Sequence, residues 1–129
     1  MGTARRPRIL IADDYVSLHE ALTRLLTTSM ACDVVGRVFD GLEAIDATRR
    51  LLPDIVVLDL VMPGMNGLMA CREIKAIAPA AHVILLTAED DAELRAQALE
   101  AGAAALVPKY RVADDLVRVL QELASADER

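Results

Sequence analysis

Five polar side chains in this 129-residue chain stand where an apolar run stops: Asp13 and Asp14 after residues 9–12, Asp59 after 55–58, Thr87 after 83–86, and Lys109 just past 104–107. Brought together, they suit one kind of chemistry. Three crowded carboxylates repel one another, so their pKa values rise or a cation neutralises them, and one ammonium cannot balance three. A hard divalent ion can, because carboxylates, a backbone carbonyl and water form the all-oxygen set that suits Mg²⁺ or Mn²⁺. Such a site would take a phosphoryl group. The cation and Lys109 would share the charge on its equatorial oxygens, Thr87 would donate a hydrogen bond, and one carboxylate would attack phosphorus to give an aspartyl phosphate.

Singly, each residue has an ordinary explanation. Asp13-Asp14 reads as a helix cap with a first-turn acid, Thr87 as a strand-end hydroxyl, and Lys109 as a solvated cation. The joint reading gains its weight from the elements that carry the five. Residues 9–12, 55–58, 83–86 and 104–107 are compact apolar runs, the pattern of strands buried on both faces, and Val34, Val35 and Val38 mark a fifth. Between them the apolar spacing is helical, as in Leu18, Leu22, Leu25 and Leu26, or Leu116, Val119, Leu120 and Leu123. Turn residues punctuate the alternation: Asp40-Gly41, Pro53, Pro63-Gly64, Asn66-Gly67, Pro79 and Gly102. Strict β/α alternation with short connections predicts right-handed crossovers and an open parallel sheet covered by helices on both faces. In that architecture ligands bind outside the carboxyl ends of the strands, where all five residues fall.

Composition narrows the setting. With 54% hydrophobic residues, no Trp, two Tyr and one Phe, the chain predicts a single aliphatic core and excludes disorder through low hydrophobicity. The formal charge of −6 disfavours direct binding of nucleic acid. Cys32 and Cys71 make neither a disulfide framework nor a zinc-ligand spacing, which points to a reducing, cytoplasmic compartment. Residues 9–12 are too short for a signal-peptide core, and no membrane contact is expected.

The motifs resemble the receiver (CheY-like) domain of two-component response regulators. The likeness is carried by Ile9-Leu10-Ile11-Ala12-Asp13-Asp14, by Asp59-Leu60-Val61-Met62-Pro63-Gly64-Met65-Asn66-Gly67, by Val83-Ile84-Leu85-Leu86-Thr87-Ala88, and by Lys109. It implies a flavodoxin-like (βα)5 doubly wound sheet with strand order 2-1-3-4-5. Asp59 would be the phosphoacceptor, and Asp13, Asp14, Asp59 and the Val61 backbone carbonyl would hold Mg²⁺ or Mn²⁺. Thr87 would be the switch hydroxyl, Lys109 the phosphate counter-ion, and Ala88 the small neighbour that leaves room. The partners implied are a histidine kinase or a histidine phosphotransfer protein. Output would pass to a downstream protein or a second copy through the face of helix 4, strand 5 and helix 5. Self-phosphorylation from small donors and autodephosphorylation are also implied. The expected boundaries are an N-terminal extension at 1–8, the receiver at 9–124, and a tail or linker stump at 125–129. Leu106 stands where members commonly carry an aromatic residue, and Tyr110 where many have a proline after the lysine. The aromatic rotamer signal and the cis bond of the family are therefore not carried over.

Two other readings stand beside it. The chain is alternatively the regulatory part of a longer helix-turn-helix transcription regulator. A small aspartyl-phosphate phosphatase of the haloacid dehalogenase type would need Asp-x-Asp after the first strand, where this chain has Asp13-Asp14-Tyr15. No Gly-x-Gly-x-x-Gly follows that strand, which weighs against a nucleotide-binding module. Among the remaining residues, His19 and His82 read as solvated or capping, Cys71 as a small core residue, and Met62 and Met65 as packing beneath the loop after Asp59. Arg95, Arg111 and Arg118 read either as part of a basic patch around helices 4 and 5 or as scattered charges on a solvated face.

Overall fold

The structure is a computed structural model that describes residues 6–127. Five parallel strands, β1 (Arg8–Ala12), β2 (Asp33–Val38), β3 (Ile55–Asp59), β4 (His82–Thr87) and β5 (Ala105–Pro108), lie in the order β2-β1-β3-β4-β5. They alternate with helices α1 (Val16–Ser29), α2 (Gly41–Leu51), α3 (Gly67–Ile77), α4 (Ala92–Glu100) and α5 (Val112–Asp127), and a 3-10 turn, Lys109–Arg111, leads into α5. This is the flavodoxin-like arrangement. Its boundaries differ slightly from the sequence reading, because β1 takes in Arg8 and α5 continues to Asp127, into the stretch expected to be a tail. Arg8 is held there by its N–H to Asp54 Oδ2 (2.8 Å). The remainder of the expected extension and tail, residues 1–5 and 128–129, lies outside the described residues.

The pleat sorts the apolar runs into two cores, as a period of two requires. Leu10, Val56, Leu58, Val83, Leu85 and Leu106 face α2, α3 and α4, while Ile9, Ile11, Ile55, Val57, Ile84, Leu86 and Val107 face α1 and α5. Each of the three inner strands is buried on both sides, which explains why its sequence runs apolar without alternation. The strands are in register through Ala12↔Leu58 and Asp59↔Leu86, so their carboxyl ends share one rim.

The punctuation in the sequence fixes the helix starts. Asp40 caps α2 by accepting from the Glu43 N–H (2.8 Å), and the Glu43 carboxylate in turn accepts from the Phe39 N–H (2.8 Å). Asn66 caps α3 through the Met69 N–H (2.9 Å), and Asp91 caps α4 through the Leu94 N–H (2.7 Å). Gly102 leaves α4 with φ +96°. Gly67 answers a different need. A Cβ there would lie 2.6 Å from the Asp59 backbone oxygen and 2.7 Å from the Leu60 Cα, so only glycine lets α3 start this close to the end of β3.

Candidate functional site

Four of the five strands, β1, β3, β4 and β5, deliver polar residues to the same rim. The chain leaves β1 as Asp13, which is fully buried with its N–H bound to the Val38 carbonyl (3.1 Å). Asp13 Oδ1 accepts from the Tyr15 N–H (2.9 Å), turning the chain sharply into α1. The helix-cap alternative is not realised: the N-cap of α1 is Tyr15, with no side-chain cap and no acid in its first turn. Asp13, Asp14 and Asp59 each offer an oxygen within 4.8 Å of the others.

Lys109 reaches across from the end of β5. Its Nζ lies 3.0 Å from Asp59 Oδ2 and 3.7 Å from Asp13 Oδ2. Burial works against the lysine's charge but is outweighed by the hydrogen bond and attraction to Asp59 and by the pull of Asp13 and Asp14, so its pKa is raised. Burial is also the main reason that Asp13 is pushed up. The Tyr15 N–H and Lys109 oppose that rise, and Asp59 adds to it. Thr87 is buried at the end of β4, and its Oγ1 accepts from the Glu89 N–H (3.1 Å). Val61 is exposed in the loop after β3 and donates its N–H to Asp59 Oδ1 (3.3 Å). Ala88 follows Thr87 at the rim, exposed.

These residues fit a cation by a local test. Asp13 Oδ2 and Asp14 Oδ1 are shut off from water and make no hydrogen bond among the described residues. Two buried carboxylate oxygens without a donor, beside a third carboxylate and one ammonium, form a hard-oxygen set short of positive charge.

Other residues depart from the sequence reading. His19 is not solvated but buried beneath the acidic loop, with Nε2 2.5 Å from the Asp13 backbone oxygen and its ring 4.7 Å from that of Phe39. A signal for this existed, since His19, Leu22 and Leu26 follow i, i+3, i+7 spacing and form the buried face of α1. The basic patch is largely neutralised. Arg95 pairs with Asp90 (2.7 Å), Arg111 with Asp115 (2.9 Å), and Arg118 with Asp115 (3.4 Å) and Glu122 (3.5 Å). Cys71 is a core residue as expected, with Sγ donating to the Ala101 carbonyl (3.4 Å) and its thiol pushed up to about 11 by burial. Met62 is buried in the α2–α4 core and Met65 packs against it. All peptide bonds among the described residues are trans, including the one between Lys109 and Tyr110.

A doubly wound domain with an acidic triad and a lysine at its carboxyl rim defines the class. The chain belongs to the response regulator receiver domain family of two-component systems, whose family model matches residues 9–121. It is 35% identical to protein-glutamate methylesterase/protein-glutamine glutaminase 5 of Myxococcus xanthus, over 92% of this chain and 37% of that protein. It is 38% identical to the DNA-binding response regulator MtrA of Mycolicibacterium paratuberculosis, over 95% of this chain and 54% of that one. The chain thus spans from about a third to about half of the length of these curated relatives. Among solved structures, the receiver domain of the response regulator NarL from Mycobacterium tuberculosis superposes with TM-score 0.87 at 30% identity, covering 94% of this chain and 98% of that one. A chain of the CheX-CheY-BeF3-Mg²⁺ complex of Borrelia burgdorferi gives TM-score 0.80 at 30% identity, covering 93% and 88%. No helix among the described residues is long and apolar enough to cross a membrane.

Proposed function

We propose that this receiver accepts a phosphoryl group on Asp59 from a histidine kinase or a histidine phosphotransfer protein. The observation that supports it best is the contact of Lys109 Nζ with Asp59 Oδ2 at 3.0 Å beside two buried carboxylate oxygens that lack donors. Asp13, Asp14, Asp59 and the Val61 backbone carbonyl would hold Mg²⁺ or Mn²⁺. When bound, the cation supplies charge that offsets the donor's phosphoryl oxygens.

The rest falls to the chain's own groups. An Asp59 carboxylate oxygen attacks phosphorus, the bond from phosphorus to the donor's imidazole nitrogen breaks in line, and the imidazole leaves and takes up a proton. Lys109 shifts its hydrogen bond from the carboxylate to a phosphoryl oxygen. Thr87 keeps its acceptor role to the Glu89 N–H while its hydroxyl proton turns to the phosphoryl group, and Ala88 leaves space for it. Acetyl phosphate would serve in the same way, with acetate leaving. Attack by water on the aspartyl phosphate would end the signal. The phosphorylated state would act through the face formed by α4, β5 and α5, on a downstream protein or a second copy, in the cytoplasm. We propose the receiver unit as residues 9–124 together with Arg8, which joins β1, and the last turn of α5, which runs to Asp127. A second reading, the regulatory part of a longer DNA-binding regulator, is favoured by the coverage of 54% of a DNA-binding relative.

Intact-mass measurement tests the assignment. One phosphoryl group is expected after incubation with acetyl phosphate and Mg²⁺, none with a chelator present, and none in Asp59→Ala. Labelling of that variant at the wild-type rate would refute Asp59 as acceptor.

A further inference from the structure

We infer that His19 is a positioning residue for the cation site, fixing the Asp13 peptide so that one carboxylate oxygen is presented to the ion. The inference rests on the proposed assignment of Asp13 as a ligand.

Asp13 is held at three points. Its N–H donates to the Val38 carbonyl (3.1 Å), its Oδ1 accepts from the Tyr15 N–H (2.9 Å), and its backbone oxygen receives His19 Nε2 at 2.5 Å. With these three satisfied, the remaining oxygen, Oδ2, points to the cluster and to Lys109 (3.7 Å). Two of the three holds are made by the backbone of β2 and of the loop itself. The third depends on one side chain, because a carbonyl can accept only from a donor and the imidazole Nε2–H is the donor that the fold brings to it.

The histidine is itself fixed. It is 2% exposed, it sits on the buried face of α1, its own N–H donates to the Tyr15 carbonyl (3.2 Å), and its ring lies 4.7 Å from Phe39 at an interplanar angle of 39°. Nδ1 is buried with no partner among the described residues, where the imidazole's polar contact is the Asp13 carbonyl. A buried imidazole that leaves one nitrogen unsatisfied to serve one backbone oxygen is an expensive way to pack a helix against a strand. Leucine or methionine would pack there without it. The contact makes sense as a brace on the loop that carries the acidic pair.

The test uses the whole chain with Mn²⁺ as probe, reading the free ion by electron paramagnetic resonance, in wild type, Asp13→Asn, His19→Leu and His19→Gln. Glutamine can place an amide N–H where Nε2 stands. Groups that orient ligands are commonly worth about 10-fold in metal affinity, so His19→Leu is expected to bind Mn²⁺ about 10-fold more weakly, with His19→Gln within about 2-fold of wild type. The rate of phosphorylation by acetyl phosphate should fall in His19→Leu at low Mg²⁺ and recover at saturating Mg²⁺, a split that a general loss of folding would not give.

Leucine and wild type binding alike, or glutamine failing as badly as leucine, overturns the role of His19 while leaving the cation site intact. Wild type that takes up no Mn²⁺, or Asp13→Asn that binds as well as wild type, overturns the site assignment and the inference with it. Should His19→Leu not fold, the glutamine variant and the imidazole ¹⁵N spectrum of wild type decide. Nε2 carrying no proton overturns the brace.

Discussion

Replacing Asp13 by asparagine should make the metal-free protein more stable, and the size of the gain follows from the spacing of the charges. At an effective dielectric of about 20, two unit charges at the 4.8 Å limit of the cluster repel by about 3.5 kcal/mol. Asp13 faces two such neighbours, Asp14 and Asp59. Lys109 at 3.7 Å returns about 4.5 kcal/mol of attraction, which leaves Asp13 in net repulsion by about 2.5 kcal/mol before its burial is considered. Asparagine keeps an oxygen for the Tyr15 N–H and turns an amide toward the other carboxylates. A gain of about 2 kcal/mol in a chain of this size raises the melting temperature by about 5–10 °C. The pH dependence has a definite sign. The pKa of Asp13 is raised in the folded state, mainly by burial, so its contribution to stability is fully present below its ordinary value of 3.8 and is lost as pH rises through the folded value. The advantage of the variant should therefore be absent in acid and open toward neutrality. Mg²⁺ should reverse the order, since an ion at a hundredfold excess over its dissociation constant stabilises wild type by about 2.7 kcal/mol and finds a poorer site in the variant. Thermal melts in chelator and in Mg²⁺ at several pH values read all of this. A variant that melts below wild type in chelator at neutral pH would show that the carboxylates are not in net repulsion, and the electrostatic reasoning would fail.

Three further outcomes follow from the same geometry. Gly67→Ala forces a Cβ to within 2.6 Å of the Asp59 backbone oxygen, so a loss of about 1–3 kcal/mol in urea melts is expected, with slower phosphorylation that added Mg²⁺ does not repair. Lys109→Met removes the ammonium that lies 3.0 Å from Asp59; phosphorylation by acetyl phosphate should slow by about 100-fold, the cost of losing a charge-stabilising donor, while Mn²⁺ binding persists. Helix α4 has one fully buried side chain, Ala98, whereas α3 buries Ala70, Cys71 and Ile74 as well as Gly67, so α4 amides should exchange with deuterium faster than those of α3, and equal protection would contradict this.

The sequence made the fold and most of the rim legible for physical reasons that can be named. Inner strands buried on both faces must be apolar throughout, so 9–12, 55–58 and 83–86 stood out, and the polar residue that ended each run had to lie at the rim. Asp40 and Asn66 mark helix starts because short polar side chains reach the free N–H groups of a first turn, and Asp91, which the turn residues leave unmarked, caps α4 in the same way. Gly67 was visible as a turn residue, but the contact that demands it, with the Asp59 backbone, belongs to the tertiary fold. His19 reads as solvated because its polar type masks its place on the His19, Leu22, Leu26 face, and no local pattern reveals the carbonyl beneath it. Arg111, Asp115, Arg118 and Glu122 stand three or four apart, spacing that pairs charges along a helix, so the neutralised patch could have been read from α5 directly. The ends were harder: Arg8 joins β1 through Asp54, a residue 46 positions away.

On the proposed reading, the departures at Leu106 and Tyr110 leave a definite route for a signal out of the site. Leu106 is buried against the α2–α4 core and has no polar end to exchange between inside and outside, so its rotation gains nothing from a moving hydroxyl. Thr87 is linked elsewhere. Its oxygen holds the Glu89 N–H, and the next two residues secure α4: Asp90 through Arg95 and Asp91 as the N-cap. A Thr87 hydroxyl drawn to a phosphoryl oxygen therefore pulls a segment whose far end is the start of the helix with a single fully buried side chain. The displacement passes through backbone and cap and needs no aromatic ring. It follows that phosphorylation should alter deuterium exchange in residues 88–95 before it alters that of α5, and an unchanged α4 beside a changed α5 would require another path.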